Sequence, residues 1–481
     1  MKKPYAIFLQ AWGALAFVFL SSPFLFDLLF AVQPLSGGQQ ALLAKGYRFE
    51  RAGWVYLHVE GSAEARGFQH GYLLAREIAE GLRITRIQWE HMSALPWTWY
   101  VTQADTILSP KIDAENRSEL QGIIQGLATA KIQVSFAELV AYNAQLELFG
   151  YWWPQEFKKW KENAKLPVPE SCSAFIAVGD WTRDGTIVLG HNTMQGYESP
   201  FPSVILDLVP DKGNRIIWQT TPGWIHSGTD FFLTSAGLVG AETTIGGFEG
   251  FDPALIPEFT RMRRATQDAT TIDHWCEIMK KGNNGGYANA WLLGDIKTGE
   301  IARLELGWKH IGFERTQNGY FAGSNIAENL KILRYETGSN EVDIRDSSVA
   351  RRTRWKQLMS LHKGKIDEPL ARQFEAEHFD AFFGQERLGG RGLCAHHELE
   401  RDPAGPWPGV PYGPAGTVDG KVLDSAMAKA MSFSARWGAA CGRAFDASAF
   451  LTARPQFEWM QGLLRSRPSQ PWVVFQAGER P

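Results

Sequence analysis

The chain has few cysteines and few of the local patterns that mark common metal and serine chemistries. Its 481 residues contain four cysteines, Cys172, Cys276, Cys394 and Cys441, and no two of them form a C-x-x-C pair. A structural zinc site is therefore not predicted, and we expect neither a metal nor a cofactor. No G-x-S-x-G pattern is present, so a serine nucleophile elbow is not predicted either.

The chain also lacks an excess of positive charge, internal repeats and low-complexity tracts. Its 49 basic and 52 acidic residues give a net charge of −3. A nucleic-acid partner is not predicted, because such proteins usually carry a basic face. A hydrophobic content of 44% is typical of a globular protein, and the length allows one large domain with additions.

The one long uncharged run lies at the N-terminus. Lys2 and Lys3 precede residues 4–26, which carry no charge, and apolar residues continue to Val32. This pattern indicates an export signal, and residues 4–32 are long enough to span a bilayer as an uncleaved anchor. We expect an exported protein, periplasmic or otherwise extracytoplasmic, or anchored with its body outside, and we exclude residues 1–34 from the fold.

Residues 35–171 are predicted to be mostly helical. Apolar residues recur at helical spacing in 67–82, 116–128 and 136–149. Glycines inside these stretches, such as Gly71 and Gly122, predict close helix packing, because glycine otherwise costs a helix roughly 1 kcal/mol relative to alanine. Residues 153–171 are charged and contain three prolines, which is typical of a linker.

A predicted hairpin follows this linker directly. Residues 174–178 and 186–189 alternate as strands around a turn at Asp184 and Gly185, with Cys172 just before the first strand. A Gly-His-Asn sequence that contains His191 closes the second strand. Because a hairpin returns its far end to its near end, we expect a thiol next to an imidazole, the minimal unit of cysteine nucleophile chemistry.

The rest of the chain is predicted to mix strands and helices, which makes residues 172–481 an α+β domain. Predicted strands cover 203–208, 215–220, segments within 230–245 and 283–306, 418–422, 431–437 and 472–476. Predicted helices cover 265–281, 345–362 and 367–378.

Several motifs in this order resemble two families of N-terminal-nucleophile hydrolases. The Cys-Ser-Ala and Gly-His-Asn-Thr ends of the hairpin, 242–246 (ETTIG), 287–291 (YANAW) and the Arg351-Arg352 pair resemble the phospholipase B-like proteins. The stretches 67–78 and 119–127 and the late 393–396 (LCAH) resemble the acyl-coenzyme A:isopenicillin N acyltransferase-type cysteine peptidases. Together the resemblance covers about residues 45–476.

The resemblance implies a four-layer αββα sandwich behind a helical pro-segment. It also implies self-cleavage between Ser171 and Cys172, after which the free α-amine of Cys172 serves as general base for its own thiol. Many relatives cleave after Gly, whereas Ser171 stands here, which favours the phospholipase B-like branch.

Residue roles are carried over by position. Cys172 is expected to be the nucleophile and His191 to orient its thiolate or amine. The oxyanion donors are expected from Thr244 and Asn289. Each residue also has a purely structural alternative. In the same order, these are an inert buried cysteine, a core histidine, a strand threonine and a turn-capping asparagine.

Further predictions concern a supporting arginine, the substrate contacts and a possible disulfide. Arg351 or Arg352 is expected to support the site from a helix, although both could be solvated surface residues. Substrate contacts are assigned to Asn192 and Trp291. If the chain is exported, Cys394 and Cys441 could form a disulfide, and sequence alone does not fix that pairing.

The predicted function is hydrolysis, or acyl transfer, at an amide or ester bond of an acylated small molecule or lipid. Three alternatives stay open at this point. They are a phospholipase B-like lipid deacylase, a metal-dependent hydrolase built on His396 and His397, and an inactive membrane-tethered binding protein.

Overall fold

The computed structural model of the chain describes residues 34–161, 172–198, 203–228, 231–402 and 410–481. The predicted signal, apart from Pro34, and Ser171 at the predicted cleavage site lie outside these residues. A search of the described residues for a helix long and apolar enough to cross a membrane finds none.

The described residues form 17 strands and 15 α-helices. The strands are β1 (Tyr47–Arg51), β2 (Trp54–Gly61), β3 (Cys172–Val178), β4 (Val188–Gly196), β5 (Val204–Pro210), β6 (Ile216–Thr220), β7 (Phe232–Thr234), β8 (Leu238–Thr244), β9 (Asn289–Asp295), β10 (Glu300–Leu306), β11 (Ile311–Thr316), β12 (Gly319–Gly323), β13 (Phe379–Asp380), β14 (Gln385–Glu386), β15 (Ala415–Asp424), β16 (Ser432–Trp437) and β17 (Val473–Gln476). The helices are α1 (Gly37–Leu43), α2 (Ala63–Leu73), α3 (Ala75–Ser93), α4 (Trp97–Ile107), α5 (Ala114–Thr129), α6 (Phe136–Asn143), α7 (Gln145–Glu147), α8 (Trp153–Trp160), α9 (Glu258–Asp268), α10 (Ile272–Lys280), α11 (Leu330–Tyr335), α12 (Ser347–Leu361), α13 (Glu368–Glu375), α14 (Ser425–Lys429) and α15 (Ala447–Ala453).

Two large sheets organise these elements. The nine-stranded sheet has the order β1-β2-β5-β6-β7-β8-β9-β10-β11, and the six-stranded sheet has the order β12-β3-β4-β15-β16-β17. Strands β2 and β5 pair in parallel, and the neighbours β3, β4 and β15 pair antiparallel. The sequence-based prediction of a mixed α+β fold is confirmed.

Strand β3 shows how the apolar pattern packs the six-stranded sheet. Ala174 and Ile176 belong to a core shared with residues of the nine-stranded sheet such as Ile217. Phe175 and Ala177 belong to a different core, shared with residues of α12 and α13. Because successive strand side chains point to opposite faces, a strand buried on both faces reads as a continuous apolar run, as 174–178 does.

Helices α2 and α5 pack with their backbones in near contact. A Cβ atom added to Gly71 would lie 2.1 Å from the carbonyl oxygen of Ile123, and one on Gly122 would lie 2.3 Å from that of Glu64. Neither position therefore tolerates a side chain. The predicted reason for these glycines, close helix packing, is confirmed.

The main differences from the predicted secondary structure are strands that the sequence did not reveal. Strands β1 and β2 lie within the predicted pro-segment and form one edge of the nine-stranded sheet. Their two-residue loop places Ala52 at φ +50° and Gly53 at φ +84°. Both loop residues adopt left-handed φ, as type I′ turns require, but alanine carries no turn signal. The division into a signal (1–34), a pro-segment (35–171) and a catalytic domain (172–481) stays a prediction.

Two further segments differ in extent. The predicted helix over 265–281 is two helices, α9 and α10, because Thr271 caps the second by accepting from the backbone N–H of His274. The second hairpin strand, predicted at 186–189, runs on to Gly196, so that His191 lies inside β4 rather than after it.

Candidate active site around Cys172

The hairpin brings Cys172 and His191 to neighbouring strands. Cys172 opposes Thr193, and Ala174 opposes His191, in the antiparallel pairing of β3 with β4. The Sγ of Cys172, a ring nitrogen of His191 and a carboxylate oxygen of Glu242 all lie within 4.8 Å of one another. The predicted hairpin and the predicted proximity of thiol and imidazole are confirmed.

Glu242, near the end of β8, is the polar centre of this cluster. Its Oε1 accepts hydrogen bonds from Cys172 Sγ at 3.3 Å and from the Tyr287 hydroxyl at 2.8 Å. With its amide nitrogen turned toward Glu242, Asn289 donates to Oε2 at 3.0 Å and to the carbonyl oxygen of Ala288 at 3.0 Å. One carboxyl group thus connects the thiol to strand β9 and the loop before it.

Burial controls the ionisation of Glu242. The side chain is fully buried, and desolvation raises its pKa to about 8, against the opposing effect of the hydrogen bonds from Tyr287 and Cys172. A carboxyl group with this pKa exchanges its proton near neutral pH. Glu242 is therefore suited to accept a proton from a neighbouring thiol.

His191 is neutral in this site. Burial, and then the nearby Lys421 ammonium, hold its pKa well below the usual range. Its Nε2 lies 3.1 Å from the backbone oxygen of Glu242 and donates to it. Lys421 in turn donates to Thr193 Oγ1 at 2.8 Å and to Asp419 Oδ1 at 2.6 Å. These contacts make His191 a positioning group for the Glu242 strand.

Arg351 reaches the backbone of Cys172 from helix α12. Its Nη1 donates to the carbonyl oxygen of Cys172 at 2.8 Å, and its Nη2 donates to Asn325 Oδ1 at 2.8 Å. Asn325 adopts φ +68° and donates to the backbone oxygen of Thr244 at 2.9 Å. The arginine therefore links the start of β3 to the end of β8.

The adjacent arginine makes different contacts. Arg352 Nε donates to Glu328 Oε1 at 2.6 Å, and both side chains are partly exposed. Consecutive helix residues point about 100° apart, so only one of the pair can face β3. The sequence left the choice open, and the structure places Arg351 beside Cys172.

The two predicted oxyanion residues lie opposite each other in the sheet. Thr244 pairs with Asn289 in the register of β8 with β9, and both are buried. The Asn289 amide lies in the Glu242 cluster, and the backbone carbonyl of Thr244 accepts from Asn325 Nδ2.

The two predicted substrate contacts make interior contacts in this structure. Asn192 Nδ2 donates to the backbone oxygens of Glu375 at 2.6 Å and Leu393 at 2.9 Å. Trp291 is fully buried, and its ring packs against that of Trp275 at 4.9 Å between centroids. Their role in substrate binding stays a prediction.

Sequence reasoning did not assign roles to Glu242 and Tyr287, although both lie inside the quoted motifs 242–246 and 287–291. Tyr287 has φ +54°, an uncommon conformation for a bulky residue, which turns its hydroxyl toward Glu242. The available signal was the single charged residue of β8, since buried carboxyl groups need partners.

Two further buried carboxyl groups lie near Glu242 on the helical side. Burial, and then the charge of Glu147, raise the pKa of Glu258 well above its usual range, against the opposing charge of Arg261. Glu147 Oε2 accepts from Asn284 Nδ2 at 2.6 Å, yet burial still raises its pKa. The surroundings of Glu242 therefore favour uncharged carboxyl groups.

The cluster lies in the interior of the described structure. Cys172 is 1% exposed, and His191 and Glu242 are fully buried. A cleft of about 460 Å³ exists elsewhere and is lined by residues such as Arg76, Tyr197 and Trp437 but not by the cluster. Access of a substrate to Cys172 therefore requires a change in what covers it.

Among the residues that the structure describes, two groups of side chains could hold a metal ion. The first is Cys172, His191 and Glu242 themselves, although the Nε2 of His191 is engaged with a carbonyl oxygen. The second consists of His378, Cys394, His396 and Cys441. His397, which the metal-dependent alternative invoked, is not a member of either group.

Comparison with known proteins agrees with the motif assignment. The family model described as Phospholipase B matches residues 111–307, which include the cluster residues from Cys172 to Asn289. The chain resembles the phospholipase B-like proteins. The resemblance predicted from the motifs is thereby confirmed.

Individual relatives cover limited parts of the chain. Phospholipase B-like 2 of Bos taurus is 32% identical in an alignment 149 positions long that covers 26% of this chain and 24% of that protein. Phospholipase B-like protein C of Dictyostelium discoideum is 22% identical in an alignment 272 positions long that covers 48% of each chain. The chain thus spans between about a quarter and a half of the length of these two relatives.

Among solved structures, a mutant of conjugated bile acid hydrolase from Clostridium perfringens matches with a TM-score of 0.34 and 11% identity. The match covers 55% of this chain and 89% of that one. A TM-score this low does not define the fold, which rests on the topology described above.

Proposed function

We propose that the chain is a self-processing cysteine hydrolase of acyl bonds, with the four-layer αββα arrangement of N-terminal-nucleophile hydrolases. One observation carries the proposal. Cys172 is the first residue of β3, its thiol donates to the Glu242 carboxyl group, and its carbonyl oxygen accepts from Arg351. This is the arrangement of a nucleophile with its proton acceptor at hand and its backbone fixed.

Self-processing would begin at the Ser171–Cys172 peptide bond. The Cys172 thiol passes its proton to Glu242, and the thiolate attacks the carbonyl carbon of Ser171. The C–N bond breaks, Glu242 returns the proton to the departing nitrogen, and a thioester remains. Water then hydrolyses the thioester, which leaves a carboxylate on Ser171 and a free α-amine on Cys172.

The free amine would then serve turnover. Its unperturbed pKa of about 7.7–8.0 lets it act as general base for the adjacent thiol near neutral pH. The thiolate attacks the carbonyl of an acyl donor, the leaving group takes the proton, and water hydrolyses the acyl-enzyme. Asn289 and Thr244 are proposed to stabilise the tetrahedral oxyanion, and neutral His191 to hold the Glu242 strand in place.

The burial of Cys172 fits a precursor form. Before cleavage the preceding chain remains joined to the nucleophile, and the thiol is 1% exposed. Cleavage would free the α-amine of Cys172, and substrate would then reach the thiol through a change in what covers it. Export, and anchoring of the body outside through residues 4–32 if the signal is retained, belong to the same proposal.

The substrate class is an acylated small molecule or a lipid, bound through an amide or an ester. The phospholipase B-like resemblance over residues 111–307 favours a lipid acyl donor as the second candidate. The two candidates share the acyl-enzyme on Cys172 and differ in the leaving group.

A trapping experiment tests this chemistry. The processed protein is incubated with N-acyl amino acids, N-acyl ethanolamides and diacyl phospholipids, quenched in acid and digested for mass spectrometry. We expect an acyl mass on the peptide that begins at Cys172 and none on the peptides containing Cys276 of the same sample. A turnover-competent protein that never carries an acyl group on Cys172 would contradict the proposal.

A further inference from the structure

Four potential metal ligands from three chain segments meet outside the Cys172 cluster. His378 precedes β13, Cys394 and His396 lie between β14 and β15, and Cys441 follows β16. Their donor atoms all lie within 4.8 Å of one another. Cys394 and His396 are buried, and both cysteines are free thiols in this structure.

Two of the distances between donor atoms are close to those of a tetrahedral site. Nε2 of His396 lies 3.4 Å from Cys441 Sγ and 3.8 Å from Cys394 Sγ. A zinc ion about 2.3 Å from sulfur and about 2.0–2.1 Å from nitrogen separates the two donors by roughly 3.6 Å at a tetrahedral angle. Both distances from His396 Nε2 therefore lie within a few tenths of an ångström of the separation that zinc requires.

A carboxylate fixes the tautomer that metal binding requires. Nδ1 of His396 donates to Glu398 Oε1 at 3.0 Å, and the hydroxyl of Tyr197 donates to Glu398 Oε2 at 3.0 Å. With Nδ1 bonded to Glu398, Nε2 is the ring nitrogen that faces the two sulfurs. Carboxylate–histidine pairs of this kind orient the ligands of metal sites.

The other two ligands are also arranged for an ion. The backbone N–H of Arg443 donates to Cys441 Sγ at 3.4 Å, which stabilises a thiolate. Gly442 makes this turn possible with φ +84°. His378 reaches the same cluster from the segment before β13, with one ring nitrogen within 4.8 Å of the other three donor atoms.

We propose that His378, Cys394, His396 and Cys441 bind one zinc ion as a structural site. Binding releases two protons from the four ligands, and in the bound site two thiolates balance the charge of the ion beside two neutral imidazoles. A site with no net charge suits burial. Four protein ligands leave no open position for water, so the site would hold loops together and not catalyse hydrolysis.

Such a cross-link has a clear structural use. The apolar cluster at this point contains only three buried residues among those described, Cys394, Ala439 and Ala440. The same loop is tied to β4, because Asn192, next to His191, donates to the carbonyl oxygen of Leu393. An ion would fix the loop against the strand that carries His191.

The test is metal content of the full chain, purified without immobilised-metal chromatography and dialysed against zinc and then metal-free buffer. We expect one zinc per wild-type chain by elemental mass spectrometry. The variants Cys394→Ser, Cys441→Ser and His378→Ala should lose it, while the matched controls Cys276→Ser and His362→Ala should keep it.

A second measurement, on the wild type alone, tests the site even if the ligand variants do not fold. Cobalt should replace zinc in the wild type and give the visible absorption of a tetrahedral site with two thiolates. The proposal is overturned by a wild type that binds no metal, by ligand variants that keep the ion, or by a Cys394–Cys441 disulfide in non-reduced peptide maps.

Discussion

Two clusters in this chain each combine a thiol, an imidazole and a carboxyl group, but the carboxyl group contacts a different partner in each. At the first, the carboxyl group of Glu242 contacts the thiol of Cys172 at 3.3 Å. At the second, the carboxyl group of Glu398 contacts the imidazole of His396 at 3.0 Å, and the imidazole faces the thiol of Cys441. A carboxyl group on the thiol serves proton transfer, and one on the imidazole prepares a metal ligand.

The neighbours of the two clusters differ as well, and they suit the same two roles. Around Cys172, Asn289 and Tyr287 bring hydrogen-bond donors to the carboxyl group, and Arg351 holds the backbone. Around Cys441, the neighbours are a second thiol and two imidazoles. Fixed donors stabilise developing negative charge, whereas a set of soft donors stabilises a cation. The contacts of a cysteine, more than its burial, indicate its role.

The largest effect among the predicted contrasts is expected at Asn289. Replacing Asn289 with Ala removes a proposed oxyanion donor, and kcat for acyl-bond hydrolysis should fall about 10²- to 10³-fold. Steady-state kinetics on the processed protein measures this. Asn283→Ala, in the loop before β9, serves as a control. An equal loss in both variants would contradict the role of Asn289 as an oxyanion donor.

Exchanging the carboxyl group for an amide tests the role of Glu242 at the first cluster. The pKa of about 8 predicts that the rate of self-processing rises with pH through that value, as Glu242 loses its proton. Glu242→Gln should process slowly and lack this rise. Processing followed by gel at a series of pH values measures it, and an unchanged profile in the variant would rule out Glu242 as proton acceptor.

The same group predicts a stability change of definite sign. Its folded pKa lies above the unfolded value of about 4.3, so the folded state binds more protons between the two values. The free energy of unfolding should therefore decrease as pH rises from about 4.3 to about 8. Denaturant unfolding of Cys172→Ala, which stays unprocessed, should show this decrease, and Cys172→Ala with Glu242→Gln should show less of it.

The matched exchange at the second cluster is Glu398→Gln. An amide can still accept from His396 but carries no charge, so zinc affinity should weaken about 10- to 100-fold. Competition with a chromophoric chelator measures the affinity, and Glu400→Gln is a neighbouring control. An unchanged affinity would show that Glu398 does not orient the ligand.

The smallest effect is expected from the two arginines of α12. Arg351→Lys loses the bidentate link between Cys172 and Asn325, and we expect about a 10-fold slower self-processing reaction. Arg352→Lys changes a partly exposed ion pair and should stay within about twofold of the wild type. Equal effects would show that the contact with Cys172 is not used.

The sequence predicted those parts of the molecule that depend on local pattern. The hairpin of Cys172 and His191 followed from alternation and a turn, and the close packing of α2 with α5 followed from Gly71 and Gly122. Strands β1 and β2 were missed because their turn begins with Ala52, whose left-handed φ is imposed by pairing rather than by residue type.

The site was predictable only where a motif kept its residues together. Cys172 and Asn289 were found through motifs, but the choice of Arg351 over Arg352 needed the orientation of α12. The second cluster escaped because its ligands, at 378, 394, 396 and 441, follow no standard spacing. Only the fold places Cys441 beside His396.

The central claim is that the chain cleaves itself before Cys172. Intact mass and N-terminal sequencing of the purified wild type, beside Cys172→Ala and the control Cys276→Ala, test it directly. We predict a wild-type chain beginning Cys-Ser-Ala-Phe, with 481 minus 171, or 310, residues. Cys276→Ala should give the same chain, and Cys172→Ala should stay joined at this bond. A folded wild type that stays intact at the Ser171–Cys172 bond from pH 5 to 9, or a Cys172→Ala variant that is still cut there, would contradict the account.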